Sequence, residues 1–278
     1  MTNTAISNGT KRFKNKGSSA CFCTHGAFNS RTLPRESVSS SCPIYPLNCN
    51  FTSTMSNPSL RPRQFDLIAF DWDGTLFDST AVITRCIQRA VVDVGGQEPT
   101  PEAASYVIGL GLMQALAHAA PDVPVEKYPE LGQRYRHHYM AHQNDIILFD
   151  GVLPMLADLK ARHHWLSVAT GKSRAGLNEA LHDVNLKGMF DASRTADETA
   201  GKPSPLMLQE LMREMGVEPE RTLMIGDTTH DLQMALNAGC ASVGVSYGAH
   251  EPSAFHALQP RFVAHSVNEL RSWLNDNA

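Results

Sequence analysis

Six side chains in this sequence are of types that could share one reaction centre: Asp71, Asp73, Thr170, Lys202, Asp227 and Asp231. Asp71 and Asp73 come first, where the apolar run Leu67-Ile68-Ala69-Phe70 stops abruptly and gives way to Asp71-Trp72-Asp73-Gly74-Thr75. Two carboxylates this close repel each other unless a cation or a shared proton relieves them. The bare chemistry therefore asks for a divalent metal. Mg²⁺ prefers a few carboxylates together with substrate phosphate and water, and a lysine and a hydroxyl nearby would serve the same anion. Taken alone, each residue has an ordinary reading: Thr170 as a strand-end cap, Lys202 as a surface lysine, Asp231 as a helix cap, Asp-x-Asp-Gly-Thr as a plain turn. The case for chemistry rests on their meeting.

The elements that carry them make that meeting possible. The run before Asp71 has the length and bounds of a buried strand in a parallel sheet. Its carboxyl end is where open α/β sheets bind ligands, and Gly74 lets the chain turn there. Asp78-Ser79-Thr80 reads as a helix start, with a side-chain oxygen to cap free N–H groups. A helical pattern follows from Ala81 to Val94 and ends at Gly95-Gly96. From there to about Asn144 all signals are helical, over Ala103–Ile108, Leu112–Ala119 and Tyr128–His142, so we predict an all-helical insert with no second strand before Trp165. Beyond it, strands and helices alternate. We expect a helix over Val152–Arg162 with an apolar stripe of Leu153, Leu156 and Leu159, then a strand over Trp165–Thr170 and a helix over Arg174–Val184. A short strand at Phe190–Ser193, a helix over Leu206–Met215 and a strand over Thr222–Asp227 come next. Asp231 is expected to open a helix to Ala238, with strands at Ala241–Val245 and Phe262–Ala264 and a final helix over Val267–Leu274. Such alternation implies an α/β fold, a doubly wound parallel sheet wrapped on both faces. Right-handed crossovers bring the carboxyl ends of the strands to one edge, where all six side chains can converge.

Composition narrows the function classes. The 278 residues are 42% hydrophobic, and no uninterrupted apolar segment approaches the roughly 20 residues of a membrane-spanning helix. Of the 24 basic and 28 acidic residues, six basic and one acidic lie before Met55, so the rest of the chain carries a net charge of −9. An acidic body argues against nucleic-acid binding. The first sixty residues are rich in Ser, Thr and Asn, lack periodicity, and read as disordered. Four of the six cysteines lie there (Cys21, Cys23, Cys42, Cys49), at spacings that match no common zinc clip. Residues 1–54 can be read as an organelle transit peptide, or as an over-long reading frame ahead of a start at Met55. The expected location is the cytoplasm, or an organelle if the first of these holds. His137, His138 and His142 lie within about one and a half helical turns, a spacing better explained by a solvated helix surface than by a metal face.

The four segments together resemble the motifs of the haloacid dehalogenase (HAD) superfamily: Asp71-Trp72-Asp73-Gly74-Thr75, the strand ending at Thr170, Lys202 in Gly-Lys-Pro, and Gly226-Asp227-Thr228-Thr229-His230-Asp231. The insert after the first motif resembles the small helical cap of its phosphoglycolate-phosphatase-like and β-phosphoglucomutase-like branch. The resemblance runs from Phe65 to Ala278. It implies a Rossmann-like core over 65–78 and 148–278, a cap over 79–147, and residues 1–64 as an extension. It further implies a Mg²⁺-dependent phosphatase acting on a small phosphorylated metabolite, with phosphoglycolate the first candidate, and leaves oligomeric state open. Carried over, Asp71 is the nucleophile and Asp73 the acid and base. Thr170, the backbone of Gly171 and Lys202 hold the phosphoryl group, and Asp71, the Asp73 carbonyl, Asp227 and Asp231 hold Mg²⁺. The sequence departs from phosphoglycolate phosphatases at Thr170-Gly171-Lys172, where those enzymes usually have Asn in the middle. Gly109-Leu110-Gly111-Leu112 is a flexible loop fit to cover the site, with Met113 beside it, and carries no charge. An anionic leaving group would then be read by Arg85, Arg89 or Lys172. A phosphomutase shares the motifs and cap, and a non-catalytic phospho-switch could use a similar acidic pocket. Dehalogenation needs no metal and no acid at the position of Asp73.

Overall fold

The computed structural model describes residues 63–183 and 186–278. The expected disordered extension before residue 65, its four cysteines and the two readings of residues 1–54 fall outside these. Within them the sheet is built around Leu67–Phe70 (β1), whose four side chains are fully buried. A strand with no polar face needs cover on both sides, which places it in the interior of a parallel sheet. It pairs in parallel with Trp165–Thr170 (β4) on one side and Thr222–Gly226 (β6) on the other. Ala192–Thr195 (β5) continues the sheet past β4, and Ala241–Val245 (β7) and Phe262–Ala264 (β8) continue it past β6. The order β5-β4-β1-β6-β7-β8 grows outward from β1 in both directions. That arrangement leaves a crevice beyond the carboxyl ends of the central strands.

Alternate side chains of β1 feed opposite layers. Ile68 and Phe70 pack with Val152–Ala161 (α5) and Val267–Asn277 (α9), in a cluster that holds Met155, Leu156, Leu159 and Leu270. Leu67 and Ala69 pack the other way, on Leu206–Met215 (α7) and Thr229–Ala238 (α8), through Met207, Leu208, Leu211 and Met234. Arg174–Asp183 (α6) connects β4 to β5.

Between β1 and β4 the chain makes the helical excursion expected of it. Thr80–Asp93 (α1), Pro101–Tyr106 (α2), Leu112–Ala119 (α3) and Tyr128–His142 (α4) surround an apolar cluster of their own, with Ile87, Val91, Leu116 and Leu131 at its centre. The excursion is closed at its base by Phe77–Asp78 (β2) and Ile147–Leu148 (β3), an antiparallel pair that the sequence did not announce. Two-residue strands are too short to leave a periodicity.

Three further expectations are corrected. Leu153 is 45% exposed, and the buried stripe of α5 is Val152, Met155, Leu156 and Leu159. The edge strand β5 begins two residues later than its apolar start at Phe190 suggested, because only Thr195 of its four residues is fully buried. Asp231 does not open α8: Thr228 is the N-cap, and Asp231 completes a capping box with it from inside the first turn.

The burial difference on α5 has a measurable consequence. Leu156→Ala is expected to lower unfolding free energy by about 2–5 kcal/mol, and Leu153→Ala to change it by no more than about 0.5 kcal/mol. Urea denaturation of the two variants beside the wild type measures both.

Candidate active site

Asp71 follows directly on β1, and its N–H donates to the Ile225 carbonyl (2.9 Å), so the ladder extends one residue and holds the acid at the sheet edge. The chain then turns at Gly74 with φ +79°, where an added Cβ would collide with the Asp227 carboxylate. A residue with a side chain is therefore excluded on two grounds, conformation and space. Thr75, just past the turn, donates its hydroxyl to Asp227 Oδ1 (3.0 Å), and the N–H of Ala249 donates to Asp227 Oδ2 (2.7 Å). Asp231 Oδ2 accepts from the hydroxyl and the N–H of Thr228 (2.7 and 3.2 Å).

Asp71, Asp227 and Asp231 thus converge, each offering an oxygen within 4.8 Å of the others, and all three are buried. One cation answers them. Lys202, wholly buried, places Nζ 2.7 Å from Asp71 Oδ1 and 2.6 Å from Asp231 Oδ1. Asp71 Oδ2 is left buried with no hydrogen-bond partner among the described residues. Three carboxylates against one ammonium is an imbalance that a dry site cannot hold fully ionised. Burial accordingly pushes Asp71 well above the usual carboxylate range, with Lys202 pulling it back and Asp231 and Asp227 pushing it further. Burial and the Asp231 charge raise Asp227 to about 7. Burial would strip Lys202 of its proton, but Asp231 and Asp71 outweigh it and hold the ammonium charged. An all-oxygen cluster with more negative charge than its ammonium can offset suits a hard divalent cation such as Mg²⁺, which would supply the missing charge.

Asp73 does not join this cluster through its side chain. Its Oδ1 accepts from Ser79 Oγ (2.8 Å), and its Oδ2 lies 3.1 Å from Lys172 Nζ. Ser79 is the residue before α1 and makes no side-chain cap, so the hydroxyl expected to close a helix end serves an acid instead. Lys172 also donates to the hydroxyl of Tyr139 on α4 (2.8 Å), and its ammonium lies 4.8 Å from the centre of that ring. Burial alone would lower the Lys172 pKa, but Asp73 and Tyr139 raise it. Thr170, buried at the end of β4, accepts the N–H of Lys172 on its Oγ1 (3.2 Å).

These groups open on a cavity of about 760 Å³ between the sheet edge and the helical excursion. Asp71, Asp73, Thr170, Gly171 and Lys172 line it from the sheet, and Ile87, Ile108, Leu110, Met113, Tyr135 and Tyr139 from the helices. The Gly109–Leu112 loop does reach over the site: a Cβ on Gly109 would stand 4.0 Å from Asp71 Oδ2. Gly171 meets the same loop backbone to backbone, since a Cβ there would lie 2.5 Å from the Leu110 oxygen and 2.6 Å from that of Gly109. Nearby, the Tyr106 carbonyl accepts from Nε2 of both His230 and His250 (2.9 Å each), and the Tyr106 ring stacks on His250. Of the cations considered for an anionic leaving group, Arg85 and Arg89 are exposed and do not line the cavity, whereas Lys172 does. His138 pairs with Asp93 (2.8 Å) and His142 with the His138 carbonyl (2.9 Å). Trp72 is a packing residue, stacked on Phe77. Tyr139 and the Ala249 N–H were not legible beforehand, because only tertiary contact gives them partners.

A model of haloacid dehalogenase-like hydrolases matches residues 68–245. The probable phosphatase IndB of Dickeya dadantii (strain 3937) is 33% identical over 209 residues, 73% of this chain and 91% of its own length. Phosphoglycolate phosphatase of Aliivibrio fischeri (strain ATCC 700601 / ES114) is 30% identical over 218 residues, 75% of this chain and 96% of its own. The crystal structure of a predicted phosphoglycolate phosphatase from Haemophilus somnus 129pt superposes with a TM-score of 0.67 at 25% identity, over 75% of this chain and 97% of that one.

Two outcomes follow from the geometry. Between about pH 4 and 7 the metal-free fold binds a proton on Asp227 that the unfolded chain does not. Its contribution to stability is therefore present at low pH and lost as pH rises through that window. A cation competes with that proton, so the rise in Tm caused by Mg²⁺ should be larger at about pH 8 than at about pH 5.5. In Asp227→Asn the rise should be small at both pH values, as differential scanning calorimetry would register. Gly171→Asn should push the Gly109–Leu110 backbone off the site and reduce kcat/KM by roughly 100-fold, since a displacement of about 1 Å costs that much. Steady-state kinetics would show it, with a melting curve to establish that the variant is folded.

Proposed function

The chain belongs to the haloacid dehalogenase-like hydrolase family, and on that premise we propose that it is a Mg²⁺-dependent phosphatase working through an aspartyl-phosphate on Asp71. Phosphoric monoester hydrolysis is the activity that the phosphatase-named relatives support, and phosphoglycolate is the substrate that one of their names carries to this chain. The observation that bears most weight is Asp71 Oδ2, buried without a hydrogen-bond partner among the described residues, on a side chain that pairs with Lys202 and belongs to a residue lining the cavity. A carboxylate oxygen free of hydrogen bonds is free to attack.

Asp71 would hold Mg²⁺ with Asp227 and the Asp73 carbonyl, and Asp231 directly or through water; the ion would offset phosphoryl charge. Asp71 forms a bond to phosphorus as the bond from phosphorus to the ester oxygen breaks, and Asp73 gives that oxygen its proton. Asp73 then takes a proton from water, which attacks phosphorus and releases inorganic phosphate and the free Asp71 carboxylate. Lys202 keeps Asp71 placed and offsets charge building on the phosphoryl oxygens, while the Thr170 hydroxyl and backbone N–H groups near Gly171 donate to them. Residues 79–147 act as a cap, with the Gly109–Leu112 loop excluding water from the first step.

Phosphate release from phosphoglycolate, sugar phosphates, pyrophosphate and nucleoside monophosphates tests this reading. Activity should vanish with EDTA, and Asp71→Asn should lower kcat by at least about a thousandfold. Acid quenching in the presence of labelled substrate should trap phosphate on the wild type and not on Asp71→Asn. A label that persists for minutes without phosphate release would instead favour a phospho-switch. Isomerisation of a sugar phosphate without net hydrolysis would favour a mutase.

A further inference from the structure

We propose that Lys172 and Tyr139 form a carboxylate-binding subsite that selects phosphate esters of 2-hydroxy acids, the chemical class to which phosphoglycolate belongs. The inference rests on the phosphatase reading above and adds to it the residues that would recognise the leaving alcohol.

An ammonium carries three N–H donors and no acceptor. Lys172 directs two contacts, to Asp73 Oδ2 at 3.1 Å and to the Tyr139 hydroxyl at 2.8 Å, and its third donor has no partner among the described residues. The Tyr139 hydroxyl accepts from Lys172, and its own proton has no acceptor among the described residues. Burial pushes the Tyr139 phenol upward, so the proton stays on the oxygen at neutral pH. Two adjacent donors are therefore unspent, both on side chains that line the cavity with Asp71 and Asp73. A carboxylate offers two acceptor oxygens to match them.

Position decides what the carboxylate belongs to. Asp73 is the group assigned to the leaving oxygen, and the Lys172 ammonium lies beside it. A substituent on the carbon next to that oxygen falls within reach of Lys172, as it does in the ester of a 2-hydroxy acid. Lys172 and Arg136 are the cationic side chains among the residues that line the cavity, beside the neutral donors Gln114, Gln143 and Ser173. Ile87, Ile108 and Leu110 are apolar, and Lys202 does not line the cavity. Arg136 does line it but is solvent-exposed, where an ion pair is worth little. The subsite also has one donor from each side. Lys172 is fixed to the sheet through its N–H on Thr170 and its carbonyl on the Ala196 N–H, and Tyr139 belongs to α4. A carboxylate held by both would tie the helical excursion to the sheet edge while substrate is bound.

The test compares two esters with alkyl leaving groups, phosphoglycolate and 2-phenylethyl phosphate, in the full chain with Mg²⁺. The wild type should prefer phosphoglycolate. Lys172→Met also takes the ion-pair partner from Asp73 and should lower both values, with the loss in kcat/KM for phosphoglycolate at least about tenfold larger than that for 2-phenylethyl phosphate and falling chiefly on KM. Tyr139→Phe keeps the ring and removes only the hydroxyl, and should cut the phosphoglycolate value by about tenfold with the same selectivity. If Lys172→Met does not fold, Tyr139→Phe carries the comparison alone. Equal losses on both esters would overturn the proposal and leave Lys172 as a positioning residue for Asp73, as would a wild-type preference for 2-phenylethyl phosphate. Should the wild type hydrolyse neither ester and take no label from acetyl phosphate on Asp71, the phosphatase reading itself fails, a result visible before any variant is made.

Discussion

Three buried carboxylates gathered around one buried ammonium set the terms for the rest of this molecule. Water cannot relieve Asp71, Asp227 and Asp231, and several protein donors are directed at them instead. Thr75 and the Ala249 N–H answer Asp227, Thr228 answers Asp231, and Lys202 bridges Asp231 and Asp71. Such a cluster would not persist on a mobile loop, because a charge with one partner missing costs several kcal/mol in a dry interior. It persists here because Asp71 follows a strand buried on both faces and Asp227 follows the strand beside it. The charge still does not balance, and the raised Asp71 and Asp227 show which sites a cation would relieve.

The helical excursion is attached by contacts of a different kind. Its apolar cluster is separate from the two that cover the sheet. Apart from the chain passing through β2 and β3, it meets the sheet edge at small polar and close-approach points. Tyr106 lies on His230 and His250, Gly109 and Leu110 lie on Gly171, and Tyr139 lies on Lys172. The glycine at 171, where phosphoglycolate phosphatases usually carry asparagine, has a local reason here. No side chain fits between that residue and the loop unless the loop withdraws.

How much of this was legible beforehand depended on whether a residue's role was set locally or by a distant partner. The strands β4, β7 and β8 and the helices α3, α4 and α7 fall where apolar pattern and flanking turn residues put them. The acids were legible for the same reason, since a buried strand that ends on an aspartate has to do something with its charge. Ser79 was read as a cap because the chain around it looks like a helix start, yet its oxygen serves Asp73, six residues back. Tyr139 gave no sign at all: on α4 it is one aromatic among several, and its partner Lys172 is 33 residues away. The β2–β3 pair escaped because two residues carry no period, and β5 was expected two residues early because the apolar Phe190 that marks it lies ahead of the strand itself.

The two kinds of attachment suit two demands that pull apart. In the reaction proposed above, attack by Asp71 would need a dry, fixed site, and release of the phosphoryl group by water would need that same site opened. A continuous apolar core between sheet and helices would meet the first demand and obstruct the second, because each opening would expose apolar area at about 25 cal/mol per Å². The contacts found instead are a few hydrogen bonds, ring contacts and backbone approaches, each of which water can replace at small net cost. A substrate carboxylate seated between Lys172 and Tyr139 would add to them only while the ester is intact. Closure would then be coupled to the leaving group, and departure of the alcohol would itself loosen the lid before water is needed.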